Sequence, residues 1–189
     1  MFLLGHLGIG SWAAARRVRA EQLGWLLFGT LLPDLIDKPL YYALVLATGR
    51  HGAELGLVSG SRTFGHTLLL LVALWLVLPR RIGAPLALGM ITHLVLDEVG
   101  DVLGVFLPML GTHPHPGTIA AILFPFLGPR FPVSPFHSMV EHLASLENAY
   151  VFAGEIAGAA LLAWQWRAGV FTRPPPAGRG ASGSTPASP

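Results

Sequence analysis

The chain has 189 residues, 52% hydrophobic and only 12% charged, with a mean hydropathy of +0.59. A soluble domain carries about a quarter charged residues, so lipid is the expected solvent and one helical bundle the expected scale. The net charge is only +2, and the arginines stand at the ends of apolar runs, which excludes a nucleic-acid-binding face and fits topology control.

The first predicted helix covers 3–16. Its basic residues, Arg16, Arg17 and Arg19, follow the apolar stretch, whereas a secretory signal carries them before it. We expect a retained helix there. The second starts near Glu21 and runs apolar to Leu32, where Pro33 should break it, because proline removes a donor and crowds the carbonyl one turn back. It resumes over 39–47, and a short loop over 49–61 leads to a third helix over 62–78. Arg80 and Arg81 turn the chain into a fourth helix, 82–107. The stretch 113–135 is rich in Pro and Gly around an apolar piece, 118–127, too short to span upright and therefore re-entrant or interfacial. A last helix covers 137–167, and a Pro/Gly/Ser/Ala tail over 172–189 should be disordered. The expected fold is all-α: a polytopic helical membrane bundle over 1–171, multi-pass in the cell membrane, with no internal repeat. Placing Arg16 to Arg19, Arg80, Arg81 and Arg167 on the cytoplasmic side gives the helices alternating directions.

With that topology the buried ionisable residues fall at one depth. His6, Asp34, His66, His93 and Asp97 each lie roughly 15–22 Å from the arginine-bearing end of their helix, at 1.5 Å per residue. His93 and Asp97 are spaced i, i+4 and share a helix face. Asp34 and Asp37 are i, i+3, and Arg62 and His66 are i, i+4. The chain contains no cysteine, so a metal must be held by imidazole and carboxylate, which suits Zn, Mn, Fe or Mg. Intramembrane ionisable residues default to functional sites. The expected ligands are Asp34, His66, His93 and Asp97, with His6 and Asp37 as further ligands or supports. Arg62 is placed either to pair with an aspartate or to grip an anionic substrate, and Asp101 continues the His93–Asp97 face one turn outward.

These residues resemble the YdjM-like (DUF457) family of membrane-bound metal-dependent hydrolases. The matching segments are Gly5-His6, Leu32-Pro33-Asp34 with Asp37, Arg62 to Thr67, and Gly89 with His93 and Asp97. Pro116-Gly117 and Phe124-Pro125 look like a later family segment, with Phe in place of Trp. The likeness covers about residues 1–128. The acidic turn is one residue longer here, and Ser61 stands where the family carries a further His. The resemblance implies a divalent-metal site and hydrolysis of a phosphoester or lipid-type substrate.

Outside that set, the prolines beside His113 and His115 point to a surface loop. His137, Glu141 and His142 open the last helix, either to complete the site or as a solvated helix start, and Glu155 should face the bundle, where Arg or His could pair with it. The expected function is a membrane-embedded metal-dependent hydrolase in which Asp37, Arg62 and Asp101 assist the chemistry. The expected partners are the lipid bilayer and a small-molecule or lipid substrate. A metal or proton-coupled transporter, or a membrane protein with a structural metal, uses the same residues differently.

Overall fold

The computed structural model describes residues 3–106 and 118–172. The His113–Pro116 loop and the tail after residue 172 lie outside the described residues. Among the described residues the chain is helical, with no strand. Helix α1 (Leu3–Ala14) runs into two short 3-10 turns, Ala15–Arg17 and Ala20–Gln22, with Arg19 between them, and α2 (Leu23–Thr48) follows. Gly49, at φ 68°, closes α2 in the left-handed conformation that glycine adopts without penalty, with its N–H on Val45 O. An irregular stretch then leads to α3 (Leu68–Val77), capped by Thr67 Oγ1, which accepts from Leu70 N at 3.1 Å. Next come α4 (Arg80–Phe106), α5 (Thr118–Ile122), α6 (Met139–Ala144) and α7 (Ala149–Arg167). Ser138 and Asn148 side chains cap α6 and α7.

Three sequence expectations change. Helix α2 is not broken at Pro33 but runs unbroken through both Pro33 and Pro39. Thr30 O, in the turn before Pro33, accepts from His93 Nδ1 at 2.7 Å and ties α2 to α4. The third helix starts at Leu68 rather than Arg62, so residues 61–67 are irregular with a single 3-10 turn over Phe64–His66. The last helix is divided by a 3-10 turn, Ser145–Glu147. The apolar piece after Thr118, expected to be too short to span, opens with the five-residue helix α5.

The helices approach closely through glycines. A Cβ on Gly29 would lie 2.2 Å from Leu86 O, and one on Gly89 would lie 2.2 Å from Leu26 O. The α2 and α4 backbones therefore touch. Gly8 and Gly158 do the same for α1 and α7. Glu155 serves that second contact: its carboxylate accepts from Leu4 N at 2.9 Å and Gly5 N at 3.0 Å. It thereby satisfies amides of the first turn of α1, which have no partner inside the helix and sit at the positive end of its dipole. Gln165, buried one face below, donates to Ser11 Oγ at 3.0 Å.

Where several membrane crossings were expected, one helix among the described residues, over Arg80–Leu103, is long and apolar enough to cross a membrane by length and composition. Helix α3 is wholly apolar but has only 10 residues.

The glycine contact at the α2–α4 crossing gives a direct test. Alanine at position 89 gains about 1 kcal/mol of helix propensity, but it meets backbone at 2.2 Å, and overpacking costs about 1–3 kcal/mol. Gly89→Ala should therefore lower the melting temperature rather than raise it, and should reduce metal content by prising His93 away from Thr30. Thermal unfolding and metal analysis of the purified variant measure both.

Candidate metal centre

Four side chains from three segments converge at the α2–α4 crossing. His93 comes from the buried face of α4, one turn before Asp97; His66 comes from the 3-10 turn ahead of α3; Asp34 projects from α2 just after Pro33. His66 Nε2 and His93 Nε2 are 3.1 Å apart. Asp97 Oδ2 lies 3.4 Å from the first and 3.5 Å from the second. Asp34 Oδ1 lies 3.7 and 3.9 Å from the same two nitrogens. Two ligand atoms each about 2.0–2.2 Å from one ion stand roughly 3.0–3.5 Å apart. The inner triangle of His66, His93 and Asp97 has that size, and Asp34 stands slightly wide of it.

The tautomers are fixed from outside. Thr30 O can only accept, so His93 Nδ1 is the donor in their 2.7 Å bond. His66 Nδ1 donates to Asp37 Oδ2 at 2.7 Å. With the proton held on Nδ1, Nε2 of each ring is the nitrogen that faces the centre, the arrangement in which histidine ligates metal.

His6 adds a further observation. It is 1% exposed, its ring stacks on His93 with centroids 3.8 Å apart, and neither ring nitrogen has a hydrogen-bond partner. Its Nε2 lies 3.4 Å from Asp97 Oδ1. A buried imidazole with no hydrogen bond is costly, and it stands with Asp34 and His93 in a group of ligand-bearing atoms all within 4.8 Å of one another. Two imidazole nitrogens, two carboxylates and a buried unsatisfied histidine fit a divalent ion.

Asp37 faces away from this cluster. Its Oδ1 accepts from Thr63 Oγ1 and Gly65 N, both at 2.9 Å, and its Oδ2 from Thr63 N at 2.6 Å and His66 Nδ1. With four donors it is a positioning residue for His66 and for the irregular stretch around it. Arg62 bridges two carboxylates, with Nη2 3.2 Å from Asp97 Oδ1 and Nη1 2.9 Å from Asp101 Oδ2. Lys38 pairs with Asp34 Oδ2.

A cavity of about 130 Å³ opens above the cluster, lined by Asp34, Lys38, Arg62, Asp97 and Asp101 among others. Its opposite wall carries His142, Asn148 and Tyr150. Tyr42 and His142 share a 2.6 Å hydrogen bond, and Phe136 stacks on the His142 ring with centroids 4.6 Å apart. Burial, and after it the nearby Lys38 charge, push the His142 imidazole down to about 4, so it is neutral at physiological pH.

The structure thus brings together all five sequence-predicted metal residues, and it places Arg62 and Asp101 at the cavity and Asp37 behind His66. His137 stays outside: its ring packs on His51 with centroids 3.9 Å apart, and its N–H donates to Glu141. His113 and His115 lie outside the described residues. Sequence reasoning missed Lys38, Asn148 and Tyr150. Lys38 had a signal, an i, i+4 spacing from Asp34; the other two sit at a helix start with none.

No family model matches the chain, and no curated protein or solved structure matches it.

Asp37→Asn should weaken metal binding about 10–100-fold, the usual effect of losing a partner that orients a ligating histidine. The protein should remain folded, since the amide oxygen still accepts from Thr63 or Gly65. Competitive metal titration of wild type and variant, with a far-UV helix signal as the folding control, checks this.

Proposed function

We propose that the protein is an integral membrane, metal-dependent hydrolase acting on an anionic substrate of the phosphoester class. The observation that carries the reading is the triangle of His66 Nε2, His93 Nε2 and Asp97 Oδ2 at 3.1–3.5 Å, whose Asp97 lines an adjoining cavity together with Asp34. A structural site would be closed by four protein ligands, whereas Asp34 and Asp97 here also face the cavity, leaving room for water or substrate. A bound divalent ion supplies Lewis acidity at a substrate oxygen and acidifies a water.

The chain's own residues divide the remaining work. Three carboxylates, Asp34, Asp97 and Asp101, line the cavity beside two cations, Lys38 and Arg62, that pair with them. A divalent ion would tip this balance to positive, which selects an anionic group. Arg62 and Lys38 hold that group. Asp34 and Asp97 belong to the ligand set and Asp37 is saturated, so Asp101 is left among the cavity carboxylates to accept the proton of the attacking water. Neutral His142, held by Tyr42, closes the far wall.

What supports lipid as the solvent is the treatment of polar backbone and apolar surface. Large apolar side chains such as Phe28, Leu35, Val95, Val102, Phe152 and Ile156 are exposed around the bundle. Non-helical backbone survives at membrane depth only where protein satisfies it. Asp37 satisfies the amides of Thr63 and Gly65 ahead of α3, and Glu155 those at the start of α1. These carboxylates allow two short helices to start inside the bilayer.

Purified protein should carry one or two transition-metal ions per chain. His93→Ala and Asp97→Asn should strip most of that metal, because the remaining buried carboxylates then repel or take up protons. Arg62→Ala should retain metal and lose turnover of phosphoester substrates by about 100-fold or more, as expected for loss of charge stabilisation. Metal analysis alongside a phosphoester screen decides it. An Arg62→Ala protein that arrives empty makes the arginine a counter-ion of Asp97 only, and a wild type that takes up no metal under any supplementation removes the hydrolase reading.

A further inference from the structure

All five tryptophans of the chain, Trp12, Trp25, Trp75, Trp164 and Trp166, are 41–68% exposed. Burial is the usual fate of so large a ring, so five exposed indoles need an explanation. They are not scattered. Trp12 stands at the end of α1, Trp25 at the start of α2, Trp75 at the end of α3, and Trp164 and Trp166 at the end of α7. Each lies within a few residues of Arg16 to Arg19, Arg80, Arg81 or Arg167, and these arginines are exposed too.

The helix ends concerned meet in space. Gln22 Nε2 donates to Arg81 O at 3.3 Å, joining the α1–α2 link to the α3–α4 turn. Trp12, Arg16, Leu23, Trp164 and Val170 line one shared depression, which brings the end of α7 to the same place. One end of the bundle therefore carries six exposed arginines and every indole. The other end exposes Arg50 and Arg130 beside Glu54, Glu141 and Glu147 and has no tryptophan.

Indoles gather at the headgroup level, and Arg and Lys accumulate on the cytoplasmic side. We propose that the Trp/Arg end is anchored in the headgroup layer of the cytoplasmic leaflet and that the cavity opens at the opposite, outer interface. The proposal rests on the membrane reading above and adds the side from which substrate arrives. Helix rise places His6 roughly 9 Å from Trp12, Asp34 roughly 14 Å from Trp25, and Asp101 roughly 30 Å from Arg81. Against an apolar slab about 30 Å thick, the metal centre lies near the middle and Asp101 near the far interface. The cavity lining agrees, because Val133, Pro135, Ser145 and Asn148 belong to the segments that cover the end away from the arginines. Anionic substrate is thus drawn from the outer leaflet or the outer aqueous face, toward Arg62 and Lys38.

The native tryptophans supply one arm of the test. The full chain is reconstituted into phosphatidylcholine/phosphatidylglycerol vesicles with bromine on the acyl chains either near the headgroup or near the chain end. Shallow bromine should quench the fluorescence roughly twofold more than deep bromine, because all five indoles share one interface. Equal or stronger quenching by deep bromine overturns the belt. No quenching by either overturns the membrane reading itself. Single cysteines supply the second arm, since the native chain has none. An impermeant maleimide added to intact cells should label Val133→Cys at the cavity rim and should reach Arg81→Cys only after permeabilisation. Labelling of both from outside overturns the two-ended arrangement, and the reverse pattern overturns the outward-facing cavity.

Discussion

The Asp37 carboxylate is the interaction on which the candidate centre depends. It is fully buried and accepts from the amides of Thr63 and Gly65, the Thr63 hydroxyl and His66 Nδ1. A buried carboxylate is tolerable only when its charge is met by such donors. The same four bonds hold residues 63–66 out of the α-helix, join that stretch to α2, and turn His66 Nε2 toward His93. Gly65 is required there because a Cβ would lie 2.6 Å from Pro33 O and 3.0 Å from an Asp37 oxygen. Backbone shape, inter-segment attachment and ligand orientation therefore come from one side chain that contributes no ligand atom.

The α2–α4 contact works on the other imidazole. Gly29 and Gly89 let the two backbones touch, and only at that separation does Thr30 O reach His93 Nδ1 at 2.7 Å. The helix expected to end at Pro33 instead continues through it, and Thr30, whose carbonyl fixes the His93 tautomer, stands one turn before Asp34.

Much of the centre was legible because the chain offers so few polar residues in apolar runs. His93 and Asp97 needed only the i, i+4 rule, and the common depth of His6, Asp34 and His66 followed from the arginines and a 1.5 Å rise. His66 reached its place although the helix assumed for it was wrong, because the 3-10 turn leads straight into α3. That Thr30 O would fix the His93 tautomer was not legible, since the two residues stand 63 apart in sequence. The spacing of Asp37 from Asp34 left it either a ligand or a support; only the unwound segment facing it reveals four donors. The role of Glu155 was hidden for a similar reason: its partners are backbone amides, which have no sequence signature. Tyr150 and Asn148 come to the cavity through the break between α6 and α7, a boundary that the apolar pattern of 137–167 conceals.

The charge arrangement explains why these carboxylates can sit together at all. Asp34, Asp97 and Asp101 share one small cavity, and like charges at such range cannot all stay ionised without compensation. Arg62 bridges Asp97 and Asp101, and Lys38 holds the far oxygen of Asp34. The cations divide the oxygens: Asp34 gives Oδ2 to Lys38 and Oδ1 to the His66 and His93 imidazoles, and Asp97 gives Oδ2 to the same imidazoles while its Oδ1 lies between Arg62 and His6. The pairing aims the two carboxylates at the centre. A cluster built only for packing would have no reason to divide its oxygens in this way, since an apolar pair of the same volume is at least as stable as a buried ion pair. The division makes sense where the oxygens facing the imidazoles, with the two Nε2 atoms, serve a cation.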